Sequence, residues 1–253
     1  MATLSVKSIA AFCLDRTPPL SIRRDVFGYI WGTMNRTLSL RNHLELITGT
    51  SVNFSIFLVG HEPGFPVTAW FTQNEARQIQ HAVDVTRELY AQVGLGVRKL
   101  YWRYIPTMEA AGYWAVDEAQ ATDLTEAFSG PNDGIDVFYV NLVTDAGGWS
   151  NSGGGEGGPC DKGVQGERTG AVIEIKRLGG PPNVLDTEED VNQWAGILLA
   201  HEVGHYLGLP GGNSITNVMG VANGVDQISL QSVNLTQSQG DTMKSHCFIQ
   251  PPC

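Results

Sequence analysis

His201-Glu202-Val203-Gly204-His205-Tyr206-Leu207-Gly208 decides how this chain is read. Histidines four residues apart stand one turn apart on one face of a helix, with Cβ atoms roughly 5–6 Å from each other. From that spacing two imidazole nitrogens can converge on one metal ion with bonds of about 2 Å, whereas a shorter spacing would splay them. Glu202 projects at an adjacent angle, too far round to join the same coordination sphere but able to hold a water beside the metal. Its role would be to take the water's proton during attack on a carbonyl and to deliver it to a departing amine. The competing reading is structural: two histidines and a glutamate that cap a core helix through hydrogen bonds.

The surroundings of the run favour the metal. Thr187 followed by Glu188, Glu189 and Asp190 reads as an N-cap with acidic residues in the first turn, where they complement the helix dipole. Trp194, Leu198, His201 and His205 then follow at intervals of four, three and four, one stripe that begins apolar and ends in the imidazoles. Gly208 can take the left-handed conformation that ends a helix, Pro210 forbids its continuation, and Met219 sits in a turn-like Asn217-Val218-Met219-Gly220 segment.

Upstream, residues 51–59 alternate and then turn apolar before Gly60, as a strand entering a core does. Thr72, with Glu75 three residues on, predicts a capped helix with a broad apolar face that ends near Gly94. Val97 to Ile105 reads as a second strand stopped by Pro106, and Ile135 to Val143 as a third, apolar enough to be central. Between Asp145 and Gly170 the sequence is glycine-rich and reads as a mobile loop without a phosphate-cradling signature. Gly170 to Lys176 alternates like a half-exposed strand, a candidate sheet edge that an extended peptide could join by strand addition. Residues 1–50 read as an N-terminal extension from which no chemistry follows.

With 253 residues, 42% hydrophobic and 17% charged, the composition is that of an ordinary globular protein. A formal charge of −10 without a basic cluster argues against a nucleic-acid partner. No stretch approaches the roughly 20 apolar residues needed to span a bilayer. The first fourteen residues lack a small-residue cleavage site before Asp15-Arg16, which argues against a signal peptide. Four cysteines allow three full pairings; a Cys160–Cys247 disulfide, suited to an exported enzyme, stands against four reduced thiols.

The run from His201 to Gly208, together with Met219 in its turn, resembles the metzincin zinc metalloproteases. The resemblance implies an α/β fold with a twisted mixed sheet and two long helices in an upper subdomain, 51–208. It also implies a small irregular lower subdomain, 209–253, that ends in a helix starting near Thr236. It implies zinc on His201 and His205, Glu202 as general base, Gly208 at the turn and Met219 as a hydrophobic floor. Where the family pattern has its third ligand this chain has Gly211; the candidate replacements are Asn213, His246 and Asp226. The implied activity is that of a zinc endopeptidase whose protein or peptide substrate lies along Ala171, Val172, Ile173 and Glu174. The alternative is an inactive relative that grips a peptide with little or no zinc. Calcium on Asp145, Asn151, Glu156 and Asp161 matches no EF-hand spacing. His43, His61 and His81 receive no role, and oligomeric state is left open.

Overall fold

The computed structural model describes residues 48–61, 71, 73–144, 146–151, 157–162, 169–175, 187–212, 214–222 and 225–253. The N-terminal extension up to residue 47, Thr72 and Lys176 lie outside that set.

The sheet is organised by the two-residue period of its strands. β1 (Ser51–Val59) is buried along its whole length, with Val52, Phe54, Ile56 and Leu58 in one apolar cluster and Phe57 and Val59 in another on the opposite face. β4 (Ile135–Val140) divides in the same way: Ile135, Val137 and Tyr139 go to the first cluster, Phe138 and Val140 to the second. A strand covered on both faces reads as a continuous apolar run, which is why 51–59 and 135–140 were legible. β2 (Gly96–Ile105) and β4 flank β1 in parallel, and β7 (Ala171–Glu174) continues in parallel beyond β4. β6 (Gly148–Ser150) closes the order antiparallel to β7, and the short C-terminal strand Ile249–Gln250 pairs antiparallel with the first two residues of β1. The fold is thus mixed α/β around a twisted mixed sheet.

Two expectations change here. Residues 171–174 are not the edge: β7 lies between β4 and β6, all four residues are buried, and the edge role passes to β6. Glu174, whose charge made the strand look half-exposed, turns its carboxylate inward to accept the Val143 N–H at 3.1 Å. The stretch 135–143 also divides, because β5 (Leu142–Val143) leaves the main sheet to pair in parallel with β3 (Ala115–Val116).

Among the described residues four helices pack around the sheet. α1 (Gln73–Ala91) and α3 (Glu188–Tyr206) share the first face, and α2 (Glu118–Phe128) covers the second through Ala121 and Leu124. Asp117 and Gln120 form a reciprocal capping box that starts α2. α1 and α3 touch closely: a Cβ on Gly196 would fall 2.3 Å from the Val85 Cβ. Thr86 Oγ1 donates to the Gly196 carbonyl at 3.1 Å, and the Tyr90 hydroxyl donates to the Ala200 carbonyl at 2.9 Å. α4 (Gln237–Lys244), capped by Thr236, stops before His246. No described helix is long and apolar enough to cross a membrane.

The glycine-rich stretch is more ordered than expected where it is described. Besides β6, residues 157–162 fold against the end of α3: the Gly158 N–H donates to the Tyr206 carbonyl at 2.7 Å, and the Tyr206 hydroxyl donates to the Pro159 carbonyl at 2.8 Å. A Cβ on Gly158 would fall 2.1 Å from the Tyr206 ring, so glycine is needed for that approach. Cys160 and Cys247 form a disulfide across 87 residues, as the first of the two readings expected, and Cys253 is disulfide-bonded as well. Lys162 and Asp136, both buried, pair at 2.7 Å.

Candidate metal centre

α3 begins with the expected cap: Thr187 and Asp190 form a reciprocal capping box, with Glu188, Glu189 and Asp190 in the first turn. Its last two turns carry His201, 4% exposed, and Glu202, 6% exposed. The His201 Nδ1 lies 2.8 Å from the Val218 carbonyl, and the His205 Nδ1 lies 2.8 Å from the Leu209 carbonyl. A carbonyl only accepts, so each Nδ1 is the donor of its contact. The two Nε2 atoms stand 3.1 Å apart. Two nitrogens bound tetrahedrally to zinc at 2.0–2.1 Å are separated by about 3.3 Å. The separation is close to what a bidentate pair on zinc would need, and each ring is anchored on a backbone carbonyl.

The chain supplies those carbonyls by two local devices. Gly208 adopts a φ of +92°, which reverses the chain after α3 and lets the Leu209 N–H bond back to the Gly204 carbonyl at 3.0 Å while its own carbonyl meets His205. The Val218 carbonyl is aimed by the Asn217–Met219 turn. There the Asn217 side chain accepts the Met219 N–H at 2.9 Å and is held in turn by Gln239 of α4. Met219 is fully buried, and a Cβ on Gly204 would fall 2.7 Å from its sulfur. Gly204, between the two histidines in sequence, is small because the methionine occupies that space.

Glu202 faces the sheet edge. A Cβ on Gly148 would fall 2.6 Å from Glu202 Oε1, and one on Gly147 would fall 2.8 Å from the Trp194 ring. The Gly147-Gly148 doublet thus lets the edge strand lie directly along the Trp194–Leu198–Glu202 row of α3. Sequence reading missed both glycines, although a doublet beside an apolar strand is a usable signal for close backbone approach.

The third-ligand candidates separate. Gly211 is exposed and has no donor. Asn213 lies outside the described residues, as does the side chain of Asp226. On either side of Asn213 the chain is tied to the Asn217–Met219 turn: the Gly212 N–H donates to the Met219 carbonyl, and the Ser214 carbonyl accepts the Asn217 N–H. His246 is committed elsewhere, its Nε2 donating to the Gly158 carbonyl at 3.0 Å and its Nδ1 accepting the Phe248 N–H at 3.3 Å. Burial among Tyr206 and Phe248 pushes its pKa down. Cys160, His246 and Cys247 bring three donor atoms within 4.8 Å of one another, but the sulfurs are joined to each other and offer no thiolate. Asp145 and Glu156, two of the calcium candidates, lie outside the described residues; Asn151 and Asp161 are described.

No family model and no curated protein matches the chain. Among solved structures it is similar to archaemetzincin from Methanopyrus kandleri, at 15% identity over 83% of this chain and 98% of that one, with a TM-score of 0.45. It is also similar to metalloproteinase-II from Bacteroides fragilis, at 13% identity over 78% of this chain and 53% of that one, with a TM-score of 0.43.

Proposed function

We propose that the protein is a zinc-dependent endopeptidase acting on an extended protein or peptide substrate. One observation carries the reading: two Nε2 atoms 3.1 Å apart at the end of one helix, on rings whose Nδ1 atoms are each fixed on a carbonyl. That separation is close to the spacing of two nitrogens on one tetrahedral zinc, and imidazole suits zinc. His201 and His205 would hold the ion, and we assign the third position to Asn213, on the segment that the Asn217–Met219 turn tethers from both sides. When bound, zinc supplies Lewis acidity to a substrate carbonyl and acidifies water.

The chain's own residues do the rest. Glu202 is buried beside the histidines, where a carboxylate can take a proton from water and pass it to the leaving amine. Gly148 brings the edge strand against Glu202, so a peptide added along β6 carries its carbonyls past the site. In this reading residues 51–208 and 209–253 are the two walls of the cleft.

The test is metal analysis of protein purified without added zinc, combined with casein hydrolysis with and without a chelator. Stoichiometric zinc and chelator-sensitive cleavage are expected; absence of both defeats the proposal. The second reading, a peptide-binding relative without turnover, is favoured by the missing donor at Gly211. It predicts peptide binding with neither zinc nor cleavage. Asn213→Ala should weaken zinc binding, and an unchanged dissociation constant removes that ligand.

A further inference from the structure

The edge strand separates two sites. On one side of β6 lies Glu202; on the other, a cavity of about 790 Å³ opens between the strand and the start of α2. Gly148 borders both. The cavity wall includes Asp117, Glu118, Asp123, Thr144 and Trp149, and no lysine or arginine is among its lining residues. Its acidic side chains do not gather round a point: among the described residues no three carboxylates bring oxygens within 4.8 Å of one another. That dispersion does not suit a bare divalent ion, which draws its oxygens to about 2.0–2.6 Å. It suits a cation spread over a long side chain.

We infer that this cavity is a specificity site for a lysine or arginine side chain of the extended peptide that pairs with β6, an inference that rests on the peptidase reading above. Residues of β6 alternate: Gly148 faces Glu202, and Trp149 packs with the apolar cluster on the opposite face of the sheet. A strand added to the edge alternates in register. Every second side chain therefore turns away from the metal centre towards Trp149 and the carboxylates. There the aliphatic stem of lysine or arginine meets apolar wall, its charge meets Asp123 and Glu118, and the Trp149 ring adds a cation–π partner. Asp117 contributes charge while also capping α2 through the Gln120 N–H.

The test measures binding rather than turnover, so that it stands apart from the casein assay. Fluorescein-labelled extended octapeptides of alanine and serine, carrying arginine, glutamine or glutamate at one scanned position, are titrated into zinc-loaded Glu202→Gln protein by fluorescence anisotropy. Arginine should bind at least tenfold tighter than glutamate at alternate positions only. The Asp123→Asn/Glu118→Gln double variant should reduce that ratio to threefold or less, and Asp123→Lys should reverse it. Because the ratio is internal to each variant, a loss of folded protein does not imitate it. Equal binding of arginine and glutamate peptides at every position, no binding of any peptide, or a preference that survives the double variant overturns the inference. If wild-type protein cleaves casein while the ratio is flat, the cavity assignment fails alone. If the ratio is present without chelator-sensitive cleavage, the peptidase reading fails and the cavity serves a binding protein.

Discussion

Two histidine sites meet at the end of α3, one on the helix and one packed against its Tyr206, and they use the same side chain to opposite effect. In the first, His201 and His205 each give Nδ1 to a carbonyl and turn Nε2 towards the other. In the second, His246 engages both nitrogens with backbone partners, between Tyr206 and Phe248 and next to a disulfide. Two carbonyl anchors turn both Nε2 atoms towards one point, whereas one carbonyl and one N–H engage both nitrogens of the same ring. Metal competence is therefore decided by what the distal nitrogen does, and proximity of His to Cys or Glu is a poor guide to it.

The largest effects should separate the clusters completely. His201→Ala or His205→Ala should lose zinc, whereas His246→Ala should retain it at full stoichiometry by atomic emission; equal loss in all three would erase the distinction. Glu202→Gln should lower casein turnover by about 10²–10⁴-fold with zinc content unchanged. A pair of glycine substitutions should then sort by cluster. Gly148→Ala pushes on Glu202 and should cost about 10- to 100-fold in kcat, with little change in melting temperature. Gly158→Ala meets the Tyr206 ring and should cost about 1–3 kcal/mol of stability.

Replacing Cys160 and Cys247 by serine should lower stability by about 2–4 kcal/mol in denaturant titrations and leave the histidine pair able to bind zinc. The smallest effect is a pH dependence. Burial lowers the His246 pKa below 6.5, so the unfolded chain binds a proton that the native ring resists. The stabilisation is whole above pH 6.5 and is lost as pH falls through the native value. Urea midpoints should thus decline from pH 7.5 to 5, and less steeply in His246→Gln.

What could be read from sequence was local. Thr187 to Asp190, the row ending in the histidines, and Gly208 are decided within a few residues of themselves, and each stands where its pattern placed it. α2 was equally local and went unread, although Asp117-Glu118-Ala119-Gln120 carries the capping box. The sheet edge was misassigned for a different reason. β6 has three residues, one of them glycine, too short to show a period, while Glu174 looked exposed because its partner, the Val143 N–H, lies 31 residues away. The anchors on Val218 and Leu209 are backbone atoms, which any residue would supply and no composition reveals.

A helix is a cylinder, free in principle to spin or slide against whatever it touches. Thr86 and Tyr90, four residues apart on α1, hold two carbonyls of α3 that are also four residues apart, with Gly196 letting the axes close. Matching pitches in this way index α3 in both rotation and translation, as a key indexes a shaft. The bearing of the two imidazoles is thus set by a helix that touches neither ring through these bonds. Thr86→Val or Tyr90→Phe would loosen the aim of the site while leaving every residue in it unchanged.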